Sequence, residues 1–194
     1  MNLSNHHITE VINRCRNGEQ VAQMEVYNRY YKAMYNTSLR IVKSEAEAED
    51  IMQESFLSAF TKIDTYKEEA SFGSWLKRIV VNNSLTAYQK AKRLDEQPLE
   101  NHLYKVSEDD GGCGTIDLTS VRAQEVVTAM NNLKDNYRQS LSLHLIEGYD
   151  YEEISEIMNV SYANSRTMIS RAKQSLRAIL NKNGKGKGIY RSSI

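Results

Sequence analysis

Apolar residues recur at helical spacing along most of the chain, and the clearest example lies in residues 149–180. Asp150 and Glu153 have the spacing of a capping box, which predicts that a helix begins directly after Asp150. Asn159 tolerates the left-handed conformation that ends many helices, and Ser161 can cap a second helix. The pattern therefore predicts two helices joined by a tight turn.

The second of these predicted helices has two contrasting sides. The side expected to be buried carries Ser165, Ile169, Ala172, Leu176 and Ile179. The opposite side has no acid and carries Ala163, Arg166, Thr167, Ser170, Arg171, Gln174 and Arg177. Such a side suits the major groove, because arginine can bind guanine O6 and N7 together and small residues allow close approach. The alternative interpretation is an ordinary helical hairpin with a solvated basic side.

The N-terminal part of the chain also predicts helices. A short one begins at Ile8 and is ended by Gly18, and a long tyrosine-rich helix spans residues 21–42. Ser44 and Glu47 have the spacing of another capping box, which predicts that a third helix follows. We interpret Cys15 as a small core residue, and the tyrosines of the long helix as core packing: Tyr27, Tyr30, Tyr31 and Tyr35.

The C-terminal part predicts a four-helix unit. Periodic apolar residues in residues 121–133 precede a helix over residues 136–146, which Gly148 would end. The side chains expected to point inward from that helix are Tyr137, Leu141 and Leu145. With one proline and nine glycines in 194 residues, the composition agrees with an all-α protein.

A break in the helical pattern at residues 94–120 predicts a linker. This stretch holds the only proline, a glycine-rich run around Cys113, and seven acids against one base. It divides the chain into a first domain at 1–93 and a second at 121–182, followed by a basic tail at 183–194 that is expected to be disordered.

Charge is strongly segregated in a chain whose 25 basic and 25 acidic side chains cancel. Residues 161–194 contain eight Lys or Arg and no acid, and residues 71–93 contain five and no acid. Residues 45–69 contain eight acids and two bases. The two basic segments predict contacts with nucleic acid and argue against a helical adaptor that has no DNA role.

Several classes of function are not expected from the sequence. It has no apolar run near 18 residues and no signal pattern at its N-terminus, so a cytoplasmic protein is expected. Two cysteines are too few for a disulfide framework, and the histidines and cysteines lack metal-ligand spacing. No nucleophile–base pair or phosphate-binding glycine loop is present either. We therefore expect no enzyme activity, metal, cofactor or small-molecule substrate.

Three motif blocks resemble the extracytoplasmic-function (ECF) group of the sigma-70 family of bacterial RNA polymerase sigma factors. Residues 48–56, A-E-D-I-x-Q-E-x-F, resemble region 2.2, and residues 72–82, F-x-x-W-L-x-R-I-x-x-N, resemble regions 2.3 and 2.4. Residues 147–177 resemble region 4, and the matches in that block are Gly148, Tyr151, Glu152, Glu153, Ile154, Ser161, Arg171 and Ala172. The blocks also occur in the family's order and at its separation.

The resemblance implies two helical domains, regions 2 and 4, that bind core RNA polymerase and promoter DNA. In this family the helix of region 2.2 binds the clamp helices of the β′ subunit, and the β subunit is a further partner. The implied polymerase-binding residues are Asp50, Gln53, Glu54 and Phe56. Aromatic and amide side chains between cations also suit a melted DNA strand. The implied contacts with the minus-10 element are Arg78, Asn82, Asn83, Tyr88, Lys90, Lys92 and Arg93.

Residues 64–74 correspond to the family's loop that captures a flipped minus-10 base, and Trp75 is expected to pack this loop onto the following helix. In region 4, the implied contacts with the minus-35 element are Ser161, Arg166, Thr167, Ser170, Arg171 and Lys173. The sequence departs from the family at Ala163 and Asn164, which replace a Gly-Thr pair. Met168 stands where Arg is common, which is expected to remove a phosphate contact or shift promoter preference.

The function implied by the resemblance is that of an alternative sigma factor directing promoter-specific transcription initiation. The family also implies an anti-sigma factor, often membrane-anchored, that masks regions 2 and 4. The acidic linker would pass through the polymerase cleft and RNA exit channel, or would serve as a solvated spacer. A free-standing helix-turn-helix regulator is the alternative function, and it would need a dimer interface but no polymerase-binding face.

Overall fold

The computed structural model describes residues 6–95 and 118–184, with side chains for residues 6–93 and 123–182. The chain forms two compact units, Met1–Gln97 and Pro98–Ile194. All regular elements within the described ranges are helical, which confirms the predicted all-α class. Within those ranges, no helix combines the length and apolar character that crossing a bilayer requires.

The first unit contains four α-helices and one short 3₁₀ turn in its described part. They are α1 (Ile8–Arg16), α2 (Gln20–Val42), α3 (Glu45–Thr61), the 3₁₀ turn (Ile63–Thr65) and α4 (Phe72–Asp95). Gly18, at φ 78°, allows the sharp change of direction between α1 and α2. The helices α2, α3 and α4 pack against one another, so their apolar sides form a shared core.

Aromatic rings fill much of that core. Tyr27 packs on Phe56 with ring centroids 4.9 Å apart, and Tyr30 packs on Phe72 at 5.6 Å. The predicted packing role is thus confirmed for these tyrosines, whereas Tyr31 is stacked on Tyr27 and remains exposed on its outer side. The geometries are the tilted or offset arrangements that aromatic pairs prefer.

Cys15 lies in the same core, as the sequence predicts. Burial raises the pKa of its thiol to about 11, so the reactive thiolate is scarce at neutral pH. Cys113 lies outside the described residues.

The second unit has four α-helices and one π turn in its described part. They are α5 (Leu118–Asn131), α6 (Asp135–Leu141), the π turn (Ser142–Ile146), α7 (Tyr151–Ile157) and α8 (Tyr162–Gly184). The last helix packs against α6, α7 and α5, which matches the predicted four-helix unit. Gly148, at φ 82°, ends the α6–π segment as predicted.

The predicted inward position of Leu145 is wrong, because the helix after α6 is wound as a π turn. The Glu147 N–H donates to the Ser142 carbonyl five residues earlier, at 3.0 Å. This wider turn accommodates an extra residue and shifts the side that faces the core. Leu143 is therefore fully buried, whereas Leu145 is 50% exposed.

The helices extend slightly into the predicted linker and tail. The fourth helix continues to Asp95 and α5 begins at Leu118, so both ends of the 94–120 segment are helical. The rest of the predicted linker, with most of its acids, lies outside the described residues. The last helix reaches Gly184, and residues 185–194 of the predicted tail also lie outside them.

The π turn predicts that truncating Leu143 and truncating Leu145 change the stability of the second unit to very different extents. We expect Leu143→Ala to destabilise the second unit by about 2–5 kcal/mol, because it leaves a cavity in the core. Leu145→Ala, a matched truncation of an exposed side chain, should change the stability by less than about 0.5 kcal/mol. Hydrogen exchange of the α6 and α8 amides measures this unit separately, and equal losses for the two variants would contradict the π-turn register.

Candidate functional site

The turn between α7 and α8 is built by local hydrogen bonds. One oxygen of Asp150 accepts from the Glu152 and Glu153 N–H groups, each at 2.8 Å, and Glu153 accepts from the Asp150 N–H at 2.9 Å. This is the predicted capping box. Asn159 has the left-handed φ of 52°, and Ser161 Oγ accepts from the Asn164 N–H at 3.3 Å. The predicted helix–turn–helix is therefore confirmed in its local details.

The inner side of α8 fixes the orientation of that helix. Ser165 is buried, and its hydroxyl donates to the Tyr151 carbonyl at 2.9 Å, which ties α8 to the start of α7. Ile169, Ala172 and Leu176 are buried along the same side. These are the residues that the apolar spacing predicts, so the opposite side is left at the surface.

The outer side of α8 forms a shallow depression of about 470 Å³ lined by small residues, hydroxyls and arginines. Its lining residues are Ala163, Arg166, Thr167, Ser170 and Arg171. The Thr167 hydroxyl donates to the Ala163 carbonyl at 2.8 Å. Among the described residues, neither arginine has an ion pair and the Ser170 hydroxyl has no hydrogen bond. Arg171 and Ser170 can therefore bind phosphates or base edges without breaking an ion pair or a hydrogen bond inside the protein.

Tyr162 is a neighbour of this surface that the motif comparison missed. The Arg166 guanidinium lies over its exposed ring, 5.9 Å from the centroid, which is a cation–π geometry. The two residues are four positions apart, so helical spacing would have shown that they share a side. The ring restricts where the guanidinium can point.

Met168 does not lie on the outer side. It is buried beside Ile169, so it packs in the core of the second unit. A methionine buried here makes no contact at the exposed side of α8, and the expectation that it removes a phosphate contact or shifts promoter preference stays a prediction. Lys173 is half-buried and Ser161 is exposed, and neither lines the depression.

A second exposed surface lies on α3. Ser44 caps this helix by accepting from the Glu47 N–H at 3.4 Å. Asp50, Gln53 and Glu54 are all exposed, at the spacing that places them on one side of the helix. Within the described residues these three side chains have no hydrogen bond or ion pair. We call them the acidic face of α3.

Phe56 does not belong to the acidic face, contrary to the prediction. It is 2% exposed and contacts the rings of Tyr27 and Phe60, so it supports α3 from within the core. The next residue, Leu57, is 69% exposed and follows Gln53 and Glu54 by one helical turn. The sequence comparison missed Leu57, although its spacing from Asp50 places it on the acidic face.

The predicted minus-10 residues fall into three groups along α4. Asn82, Lys90, Lys92 and Arg93 are exposed, whereas Arg78 and Tyr88 are half-buried. The Asn82 amide has no hydrogen bond among the described residues, while Arg78, Tyr88 and Lys92 each interact within the chain. The third group is Asn83 alone, which has a different role.

Asn83 joins α4 to α3 and is not free to contact DNA. Its amide N–H donates to Ser55 Oγ at 2.9 Å, and that hydroxyl donates to the Ile51 carbonyl at 2.6 Å. The prediction of Asn83 as a DNA contact is therefore not supported by its position. A half-buried amide in such a chain of hydrogen bonds stabilises helix packing.

The loop before α4 is packed against aromatic residues. Tyr66 is buried, and its ring lies 5.4 Å from Phe72 and 5.5 Å from Trp75. The predicted role of Trp75 in packing the loop onto α4 agrees with this contact. Burial is the main cause that raises the pKa of Tyr66, so its hydroxyl stays protonated. Ser71 caps α4 by accepting from the Ser74 N–H at 3.1 Å.

No metal centre is evident in the part of the chain that the structure describes, since no three His, Cys, Asp or Glu side chains converge there. The two exposed surfaces and the basic helix α4 consist of charged groups, amides and hydroxyls.

Both units of the chain match models of known protein families. The family model of Sigma-70 region 2 matches residues 26–94, and that of Sigma-70, region 4 matches residues 123–176. The chain is 30% identical to the ECF RNA polymerase sigma factor SigM of Bacillus subtilis (strain 168), over 81% of this chain and 94% of the relative. It is 28% identical to the ECF RNA polymerase sigma-E factor of Haemophilus influenzae, over 84% and 90% of the two chains.

Two solved structures share the fold. One is CnrH in complex with the cytosolic domain of CnrY, with a TM-score of 0.54 and 19% identity over 89% of this chain and 96% of that one. The other is the sigma factor RpoE in complex with the anti-sigma factor NepR from Bartonella quintana. Its TM-score is 0.61, with 21% identity over 81% and 96% of the two chains.

The two matched regions define a transcription initiation factor of the sigma-70 family. Within that family, the chain belongs to the ECF group of RNA polymerase sigma factors. It directs transcription initiation, with core RNA polymerase and promoter DNA as its partners, and it is not an enzyme itself. The alternative of a free-standing regulator is thereby excluded.

The contrast between Asn82 and Asn83 generates a stability prediction. We expect Asn83→Ala to lower the stability of the first unit by about 0.5–1.5 kcal/mol, because Ser55 loses a partly buried hydrogen bond. Asn82→Ala removes an exposed amide from the neighbouring position and should leave the stability unchanged within about 0.5 kcal/mol. Unfolding followed through the single tryptophan, Trp75, tests this, and identical midpoints for both variants would argue against the interhelical role.

Proposed function

We propose that the acidic face of α3, with Leu57 added, binds the β′ clamp helices of core RNA polymerase. The carboxylates of Asp50 and Glu54 have no intramolecular partner among the described residues, so basic side chains can pair with them at no cost in internal contacts. Leu57 is a large exposed apolar residue beside them, and its burial would favour association. Phe56 supports this surface from below.

We further propose that α8 enters the major groove at the minus-35 element. The observation that supports this most is the acid-free outer side of α8, whose arginines form no ion pair and whose Ser170 hydroxyl forms no hydrogen bond within the described residues. Arg166 and Arg171 would contact base edges, and Thr167 and Ser170 would contact bases or phosphates. Ser161 at the start of α8 and Lys173 further along it would contact phosphates.

At the minus-10 element, we propose that the exposed side of α4 holds the melted strand together with residues 64–74. Asn82 offers a free amide, and Lys90, Lys92 and Arg93 offer cations. Arg78 and Tyr88 border this surface and are half-buried. An unstacked strand binds to such a combination through its backbone and its exposed bases.

Regulation by an anti-sigma factor is also part of the proposal. The two solved structures with the same fold are complexes, one of CnrH with the cytosolic domain of CnrY and one of the sigma factor RpoE with the anti-sigma factor NepR. By analogy, we propose an anti-sigma partner, either membrane-anchored or soluble, that covers the exposed surfaces of both units. We also propose the cytoplasm as the place of action, because transcription takes place there.

Reconstitution tests the proposed function as a whole. Core RNA polymerase is incubated with the full chain, captured, and used to transcribe a library of genomic fragments from the source organism. We expect core binding, and transcripts that begin downstream of paired minus-35 and minus-10 sequences. Transcripts without a shared upstream pair of elements would contradict the assignment of two DNA-binding surfaces. The proposed minus-10 and minus-35 surfaces lie on separate units, and they reinforce each other when the polymerase holds them at the distance between the two promoter elements.

The docking proposal predicts the effect of charge reversal on α3. We expect Asp50→Lys combined with Glu54→Lys to lower core affinity by at least about 100-fold, because like charges would face each other across the interface. Glu45→Lys combined with Glu49→Lys makes the same charge change at the same spacing on another side of α3, so it is the matched control. A competition assay with labelled chain measures both, and similar affinities for the two variants would contradict the acidic face as the docking site.

The minus-35 proposal predicts different effects for two arginines of α8. If Arg171 binds one base pair in bidentate fashion, Arg171→Ala should cost about 1–3 kcal/mol and relax sequence preference at that position. Arg177→Ala, further along the same exposed side, should weaken binding equally for all sequences. Holoenzyme binding to a panel of single-base variants of the minus-35 element separates the two results, and an unchanged preference would remove Arg171 from base contact.

A further inference from the structure

Arg16 attaches α1 to the loop that precedes α4. Its Nη2 donates to the Tyr66 carbonyl at 2.8 Å, and its Nη1 lies 3.5 Å from the Glu68 carboxylate. The same Nη1 donates to Asn13 Oδ1 at 2.9 Å, which fixes the guanidinium against its own helix. Arg16 and Tyr66 are 50 residues apart in sequence, so this bridge exists only in the folded unit.

The loop itself is closed on the residue that Arg16 holds. The buried Tyr66 donates its hydroxyl to the Ala70 carbonyl at 2.8 Å, which brings the two ends of residues 66–70 together. Between them, Glu68 has a φ of 63°, a left-handed conformation that few non-glycine residues adopt. Such a conformation persists where the surrounding contacts hold it, and Arg16 supplies one of those contacts.

We propose that Arg16 is a positioning residue for promoter melting. It keeps residues 66–70 in the conformation that receives an unstacked minus-10 base, although Arg16 itself touches no DNA. This inference rests on the proposed role of residues 64–74 in base capture. The physical reason is preorganisation: a loop already held in its binding conformation loses less conformational freedom when the base arrives.

A purely structural role for Arg16 predicts a different result, and Arg14 provides the matched control. Arg14 lies on the same helix and pairs locally with Glu19 at 2.6 Å, without reaching the loop. Removing either arginine costs one charge and one ion pair. Only removal of Arg16 releases residues 66–70.

The test combines protein variants with changes in the DNA. Holoenzymes are assembled with wild-type chain, Arg16→Ala, Arg16→Lys and Arg14→Ala, after their core affinities are shown to be equal. Each is bound to a fork-junction promoter whose minus-10 element is single-stranded, and to a series in which one base at a time is replaced by an abasic site. The promoter is one identified by the transcription experiment above.

We expect the wild type to lose affinity when one particular base of the minus-10 element is absent. On the intact fork, Arg16→Ala should bind about five- to tenfold more weakly than the wild type. On the abasic fork, the variant and the wild type should bind with nearly equal affinity. Arg16→Lys keeps the charge but not the planar set of N–H donors, so its loss of affinity for the intact fork should be intermediate. Arg14→Ala should behave as the wild type does.

Two other outcomes overturn the proposal for different reasons. Equal losses for Arg16→Ala on the intact and abasic forks would show that Arg16 acts generally and not through base capture. A wild type that tolerates an abasic site at every minus-10 position would refute base capture itself, and with it the proposed role of the loop. If Arg16→Ala does not fold, Glu68→Gln keeps the Tyr66 contact and weakens only the ion pair. It should then lose about two- to threefold on the intact fork alone, and an equal loss on both forks would overturn the proposal.

Discussion

Burial of one side of α8 determines which of its residues can meet DNA. Ser165 is tied to the Tyr151 carbonyl, and Ile169 and Leu176 are buried beside it, so the helix cannot rotate about its axis. Since successive residues of a helix are about 100° apart, the acid-free side must then face outward. The same constraint acts on α3, where buried Met52 and Phe56 leave the acidic face at the surface. The surfaces that we propose to bind polymerase and DNA are thus the sides of these helices that the two cores leave exposed.

The segregation of charge gives these surfaces different partners. The acidic face of α3 repels DNA phosphates and attracts a basic protein surface, whereas the outer side of α8 does the opposite. The chain as a whole has no net charge, so attraction to DNA depends on where the cations lie and not on their total. The polymerase performs the chemistry, and the chain contributes only binding and positioning.

The last residue of a matched motif and the residue that follows it have different roles in the structure. Asn82 is exposed with a free amide, whereas Asn83 joins α4 to Ser55 of α3. In the same way Phe56 packs in the core, whereas Leu57 is exposed beside the acidic face. A family motif predicts the whole run of residues as a functional segment, because it includes both the exposed residues of a surface and the core residues that support them. Burial and hydrogen bonds separate the two groups.

The sequence alone predicted the features that depend on neighbours within a few residues. The capping box at Asp150, the left-handed Asn159 and the two sides of α8 are of this kind, since they arise from one helical turn or from the period of one helix. Tertiary structure decided the features that join distant residues or change the helical period. The π turn that buries Leu143, and the Arg16 bridge to Tyr66, depend on packing that no local pattern encodes.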